Sequence, residues 1–297
     1  MTTAGAKLAV ALSRAVDRVE AFEKLDTVAE FLASRLGKLV PPGPVEDVLS
    51  GTPLGHPAHP MLVAVPIGAW STASVLDMTG GDARTTRTVV ATGTLAALPA
   101  AATGLADWLT TSGPERRVGL VHAAANYGAV ALQVASWFAR RTDRKRGAVL
   151  SAGALGLTAV AGWLGGHLAY ALGVGVDTTA FQHLPTGWTD VCAEDAVADT
   201  PSGHVVAGVP IVIFRTDSEL VAMADRCTHR GGPLHDGTID GGCITCPWHA
   251  STFDARGTVV SGPATRPQPT LDVRVQAGRI QVRRDEQRTL RTNPVGH

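Results

Sequence analysis

The chain has 297 residues, room for about two domains, with 45% apolar and 18% charged residues and a formal charge of zero from 26 Lys and Arg against 26 Asp and Glu. A neutral balance without a basic face argues against nucleic acid as a partner, and four scattered cysteines are too few for a disulfide-stapled scaffold, which leaves metal or redox chemistry for them. The averages hide a division, because the 125 residues from Thr52 to Val176 hold only 14 charged side chains.

From Gly5 to Lys38, Leu8, Leu12, Ala15, Val19, Phe22 and Leu25 recur at helical spacing among charged residues. This predicts an amphipathic helix or helix pair that packs on the protein or lies on a membrane surface. Its recurring charges are unlike a signal peptide. Pro41, Pro42, Gly43 and Pro44 then form a stiff linker. Four uncharged segments follow, Met61 to Leu76, Thr88 to Ala106, Leu120 to Ala139 and Ala148 to Val176. Each is near the ~20 residues that cross ~30 Å of hydrocarbon. Gly, Ala, Ser and Thr dominate them, as in membrane helices that approach closely. The third and fourth run 20 and 29 residues without Asp, Glu, Lys or Arg, which opposes a buried soluble bundle. Pro66 and Pro99 are tolerable where neighbouring helices satisfy the freed backbone groups.

From Thr186 the pattern turns to short alternating runs: His204 to Ala207, Ile211 to Arg215, Leu220 to Ala224, Leu271 to Gln276 and Arg279 to Arg283. Gly and Pro separate them, and Ala277-Gly278 reads as a two-residue hairpin turn. The expected organisation is a helical segment with linker (1–44), a four-helix transmembrane domain (45–177), a small β domain (186–285) and a frayed tail (286–297). The fold class is therefore α + β multidomain.

The β domain carries Cys227-Thr228-His229 and, further on, Cys246-Pro247-Trp248-His249. Two thiolates and two imidazoles on two loops match a Rieske [2Fe-2S] centre, where two histidines replace two cysteines on one iron. A structural Cys2His2 zinc site is the alternative, although zinc fingers pair cysteine with cysteine and histidine with histidine. The runs Cys227-Thr228-His229-Arg230-Gly231-Gly232 and Cys246-Pro247-Trp248-His249-Ala250-Ser251-Thr252-Phe253-Asp254 resemble the Rieske ferredoxin signature over roughly Gly187 to Arg284. That resemblance implies that Cys227 and Cys246 bind an inner iron and that His229 and His249 bind an outer, solvent-facing one. It implies no loop-tying disulfide, since Gly232 and Trp248 stand where high-potential members have cysteines. Ser251 would donate a hydrogen bond to the cluster, Phe253 replaces a donor tyrosine, and Gly262-Pro263-Ala264 resembles the covering proline loop. One donor of two implies a low-to-middle potential within roughly −150 to +300 mV. Cys192 and Cys243 have no matching role, and Cys243 is expected to be a small buried residue. His204 and His235 are expected at the surface or in loops.

The helical half is similar to a bacterial family of uncharacterised four-helix membrane proteins sometimes joined to a Rieske domain, over about Val45 to Asp177. The residues that carry the similarity are Leu49 to Met61, Thr103 to Trp108, Arg117 to Ala123 and Leu164 to Leu168. Alternate threading puts His56, His59, Asp107, His122 and His167 at one end of the bundle, the end from which the β domain emerges. Ionisable groups at membrane depth are costly and usually functional. A haem b on His122 and His167 is the sharpest expectation; hydrogen-bonded interfacial residues, or a mononuclear metal or quinone site, compete with it. Asp77 is expected at the interface. Seven basic residues (Arg84, Arg87, Arg140, Arg141, Arg144, Lys145, Arg146) against Arg116 and Arg117 place the N-terminus and β domain outside by the positive-inside rule; the charged N-terminal stretch and missing disulfide argue the other way. The expected function is single-electron transfer by a multi-pass cell-membrane protein in contact with lipid and with a redox partner protein or quinone. A redox-responsive sensor or transporter is the second reading. No catalytic triad or phosphate-cradling loop is visible.

Overall fold

The computed structural model describes residues 3–198, 200–216 and 219–284; the expected tail at 286–297 lies outside them. Backbone contacts divide the chain into two units, Met1–Pro41 with Ala58–Val174, and Pro42–Pro57 with Gly175–His297.

The first unit is helical. Helices α1 (Thr3–Glu20) and α2 (Lys24–Leu36) realise the N-terminal amphipathic pattern. Val16 of α1 is buried with Val118 and Leu164, so this helix packs on the bundle. Past the short helix α3 (Pro44–Ser50), which belongs to the other unit, come α4 (His59–Leu62), α5 (Ala64–Met78), α6 (Ala83–Leu109), α7 (Gly113–Ala139) and α8 (Arg144–Tyr170). These form four segments long and apolar enough to cross a membrane, with α4 and α5 together making the first. Among their buried positions run small residues at steps of three and four: Gly93, Ala97, Ala100 and Thr103 on α6, and Gly147, Ser151, Ala154 and Thr158 on α8. Such a seam lets helix backbones approach where no hydrophobic effect drives them together. Pro66 sits in the first turn of α5, where a missing amide costs nothing. Pro99 lies inside α6; the neighbouring Ala100 carbonyl gains bonds from the His59 ring at 2.9 Å and Thr103 Oγ1 at 3.0 Å.

The helical hairpins α4/α5–α6 and α7–α8 repeat one another. Asp82 caps α6 by accepting from Thr85 N at 2.7 Å, and Asp143, 61 residues on, caps α8 by accepting from Arg146 N at 3.0 Å. At the same end, the Asp77 carboxylate takes two bonds from Arg140, at 2.7 and 2.6 Å. Arg140 also reaches Ser136 Oγ, which donates to the Gly147 carbonyl, so three helices are tied at this point. Asp77 is thus an ion-pair partner within the protein.

The second unit is built on two antiparallel sheets. The larger has the order β1 (Thr189–Ala193), β10 (Arg279–Arg284), β9 (Thr270–Gln276), β4 (Leu220–Ala224), β3 (Val209–Arg215), β2 (Ser202–Val206). The smaller runs β5 (Thr238–Asp240), β6 (Cys243–Thr245), β7 (Thr252–Phe253), β8 (Val259–Ser261). The β9–β10 hairpin turns at Ala277-Gly278, with φ of 50° and 73°, and β2–β3 turns the same way at Ala207-Gly208. Positive φ at both central residues matches the twist of paired strands. Phe214, Met223, Leu234, Ile244 and Phe253 are buried in one core with Cys227 and Cys246.

Candidate metal centre

Both cysteines stand at the start of tight loops closed by one backbone pattern. Cys227 N–H donates to Gly232 O at 2.9 Å and its carbonyl accepts from Gly231 N at 2.8 Å; Cys246 N–H donates to Ser251 O at 2.9 Å and its carbonyl accepts from Ala250 N at 3.1 Å. The fifth residue of each loop turns left-handed, Gly231 at φ 74° and Ala250 at φ 58°. The first loop follows β4 and the second joins β6 to β7, so the two sheets present the loops. Gln268, 2% exposed, clamps the first loop: its Oε1 accepts from Thr228 N at 3.0 Å, and its Nε2 donates to the Ala224 and Arg226 carbonyls.

Within this frame the two cysteine side chains are buried and hydrogen-bonded to each other. Backbone amides of His229, Trp248 and His249 and the Ser251 hydroxyl also donate to these sulfurs. The Cys227 thiol donates to Cys246, so its own pKa rises, helped by burial, whereas Cys246 is lowered to about 7 by that bond. The His229 and His249 rings meet edge to face with centroids 5.0 Å apart. Burial, the neighbouring His249 and Arg230 push His229 down to about 3, so its imidazole is neutral, the form that binds metal. His229 Nδ1 is buried with no hydrogen-bond partner. A buried polar atom left unpaired costs about 1–3 kcal/mol, and a ligand nitrogen of a metal centre is the arrangement that offsets it. Donor chemistry and this orphaned nitrogen fit a [2Fe-2S] cluster.

The surrounding positions follow. Ser251 is fully buried, Phe253 sits in the core without a hydroxyl, and Gly262 to Ala264 runs beside them, with Ala264 N donating to Ser251 Oγ at 3.0 Å. Gly232 leaves no space for a side chain, since a Cβ there would stand 2.7 Å from Cys246 Sγ. Cys192 and Cys243 are free thiols; Cys243 is half-buried at the start of β6, where a full burial was expected. His235 is pinned by Asp225, whose carboxylate accepts from its backbone N at 2.9 Å and its ring at 2.7 Å. Residue type gave no sign of the Gln268 clamp or the Asp225 contact, because both are made across the fold.

The bundle residues do not gather as expected. His56 is exposed and belongs to the β-domain unit. His167 bonds Glu20 at 2.7 Å and stacks on Trp163, which ties it to α1. His122 meets His59 instead, with centroids 6.4 Å apart. Each ring donates from Nδ1 to a carbonyl, His59 to Ala100 at 2.9 Å and His122 to Ala161 at 2.8 Å. Each also lies over the glycine four residues beyond that carbonyl, Gly104 and Gly165. Asn126 Nδ2 donates to His122 Nε2 at 3.1 Å. Both ring nitrogens of His122 thus have protein partners, and these contacts give no support to the expected His122–His167 haem pair. The Asp107 carbonyl accepts from Thr110 Oγ1 at 2.8 Å.

Comparison with known families divides the chain in the same place. A Rieske [2Fe-2S] domain model matches residues 187–275, and the model of the predicted membrane protein family DUF2231 matches residues 55–178. The anthranilate 1,2-dioxygenase ferredoxin subunit of Burkholderia cepacia is 33% identical over 107 residues, 36% of this chain and 95% of that one. Ferredoxin CarAc of Metapseudomonas resinovorans is 33% identical over 101 residues, 32% of this chain and 92% of its own. Among solved structures, the ferredoxin of carbazole 1,9a-dioxygenase from Nocardioides aromaticivorans IC177 is 25% identical, with 34% of this chain and all of that one covered and a TM-score of 0.32. Nearly the whole of a ferredoxin subunit is thus contained in the C-terminal third, and the chain belongs to the Rieske [2Fe-2S] family through that domain, which here follows a region matching the predicted membrane protein family DUF2231.

Proposed function

We propose that Cys227 and Cys246 bind one iron of a [2Fe-2S] cluster, that His229 and His249 bind the other, and that the chain carries single electrons at a membrane. The observation that carries this is the buried, unpartnered His229 Nδ1 beside two cysteine sulfurs that collect backbone N–H donors. A cluster of this type, when bound, gives or takes one electron at a time. The chain's own groups set how readily. Amides of residues 229, 248 and 249 and the Ser251 hydroxyl point positive hydrogen at the sulfurs and favour the more negative, reduced state. Phe253 adds no donor, which supports a low-to-middle potential. The buried cysteines and the clamp from Gln268 hold this geometry fixed, so little reorganisation accompanies each transfer.

The partner is a redox protein of the kind that ferredoxin components serve, an oxygenase component or a reductase, with a membrane quinone pool as the alternative. Half-exposed His249 beside Trp248, 58% exposed, supplies the docking edge. Multi-pass insertion is supported by the apolar outer faces of the long helices, where Leu95, Leu98, Val149 and Val160 are exposed. Such residues suit lipid as their solvent. A haem in the bundle has no support from the His122 contacts and is not part of this reading.

The test is an optical and electron-spin-resonance spectrum of detergent-purified protein before and after reduction. Reduction is expected to produce the signal of mixed His/Cys ligation, lost in His229→Ala. A colourless protein with one zinc per chain would overturn the reading.

A further inference from the structure

Residues Pro42–Pro57 precede the membrane-length helices in sequence, yet they belong to the β-domain unit. Their fold is a strap: α3 opens with Pro44 in its first turn, ends at left-handed Gly51 (φ 90°) and passes into a 3-10 turn at Thr52–Leu54. The strap lies on the loop that covers the proposed cluster. Asp47 Oδ1 accepts from Gly262 N at 2.6 Å and from Ser261 Oγ at 3.4 Å. Thr52 Oγ1 donates to the Ala264 carbonyl at 3.0 Å. The fit is close enough that a methyl group on Gly262 would overlap Thr52 Oγ1. From Ala264 the connection continues inward, because its N–H donates to the buried Ser251 Oγ at 3.0 Å, and Ser251 in turn donates its hydrogen to Cys227 Sγ. The strap therefore holds the backbone that holds the hydroxyl on a ligand sulfur.

We propose that this strap is a positioning element that sets the reduction potential of the cluster, with Thr52 acting through Ala264 and Ser251, and Asp47 acting through its charge at the same loop. This rests on the cluster reading above. The two residues act in opposite senses. A hydrogen bond to a ligand sulfur stabilises the reduced, more negative state, so loosening Ser251 lowers the potential. A carboxylate near the cluster disfavours added negative charge, so neutralising Asp47 raises it. Asp47→Asn keeps an oxygen that can accept from Gly262 N and isolates the charge.

The experiment is a redox titration of the full-length protein in detergent, followed by electron spin resonance, on wild type, Ser251→Ala, Thr52→Val, Asp47→Asn and the Thr52→Val/Ser251→Ala double variant. Thr52→Val is expected to shift the midpoint downward, as Ser251→Ala does, and to add nothing in the Ser251→Ala background. Asp47→Asn is expected to shift it upward. Gly262→Ala, which displaces the strap by bulk alone, should move with Thr52→Val. In cluster-free protein, amide exchange at Gly262 and Ala264 should quicken in Thr52→Val, a readout that needs no iron. A wild-type midpoint in Thr52→Val, or a further shift in the double variant, would overturn the route through Ser251; an unchanged or lowered midpoint in Asp47→Asn would overturn the charge effect. Absence of the mixed-ligand signal from wild type is a failure of the cluster reading and takes the inference with it, whereas a normal signal with unmoved strap variants refutes the strap alone.

Discussion

Adjacent glycines in the first ligand loop do different things, and exchanging each for alanine separates them. At Gly232 the backbone is ordinary but the space is filled. An added methyl would lie 2.7 Å from Cys246 Sγ and 3.0 Å from Trp248 Cγ. Comfortable contacts between such atoms fall at about 3.5–4.0 Å, so the sulfur or the loop must retreat by about 1 Å. Overpacking of this kind costs about 1–3 kcal/mol, and the displacement is several times the ~0.2 Å tolerance of a metal–ligand distance. Gly232→Ala should therefore fold and fail to hold a cluster. At Gly231 the space is open, with Thr178 3.8 Å from where a methyl would stand, but φ is 74°. An L-residue in that region costs about 1–2 kcal/mol, and the sulfurs stay where they are. Gly231→Ala should lower the unfolding midpoint and keep the cluster. Iron and acid-labile sulfide per chain, with the reduced spin-resonance signal and a thermal scan, distinguish the two. A Gly232→Ala protein that purifies with wild-type iron and an unchanged signal would refute the packing argument.

Three further outcomes are expected. Arg140 and Asp77 are 2% and 9% exposed at the side chain, so Asp77→Ala leaves a buried charge and should cost about 3–5 kcal/mol in a detergent unfolding titration; adding Arg140→Met should recover much of it, and a loss below about 1 kcal/mol would place the pair in the range of exposed ones. The Arg117 guanidinium hydrogen-bonds Asp26 and holds its carboxyl below the ordinary aspartate range. That link contributes stability above the ordinary aspartate pKa and loses it as pH falls through the depressed one, so the protection of α2 amides relative to their intrinsic exchange rates should fall on acidification, and Asp26→Asn should abolish that dependence. With both His122 nitrogens committed to protein partners, protein made with ample haem should show no Soret band; one that disappears in His122→Ala would contradict the bond to Asn126.

Strands β4 and β9 were legible to within two residues, because each is a short run rich in apolar residues that stands apart from the Gly, Pro and charged residues around it. The four apolar segments were legible because long runs almost free of Asp, Glu, Lys and Arg stand out in composition alone. What escaped were β1, whose burial does not alternate, and the short strands β5 to β8, two or three residues each, too brief to carry a period although they present the second ligand loop. The ligand types and their spacing were visible, since metal chemistry restricts the side chains allowed. The strap was not. The partners of Asp47 and Thr52 lie more than 200 residues away, a separation that no local pattern records.

The contacts of the bundle histidines lend the haem expectation no support, and the parallel between the two hairpins shows why threading alone could not anticipate them. Helical threading correctly treats an end of a helix as a place, but it has no access to azimuth, and a histidine's partners depend on the face it occupies. Once the two hairpins are seen as repeats, His59 and His122, 63 residues apart, are the equivalent positions, and each ring is braced by the same carbonyl-and-glycine contact on its partner helix. His167 has no counterpart in that scheme and bonds α1. The repeat is broken at one atom: four residues after His122 stands Asn126, whose amide occupies Nε2, whereas four residues after His59 stands Val63, which has no polar side chain. Two rings in equivalent positions thus differ in their contacts, His122 bonded at both nitrogens and His59 at Nδ1.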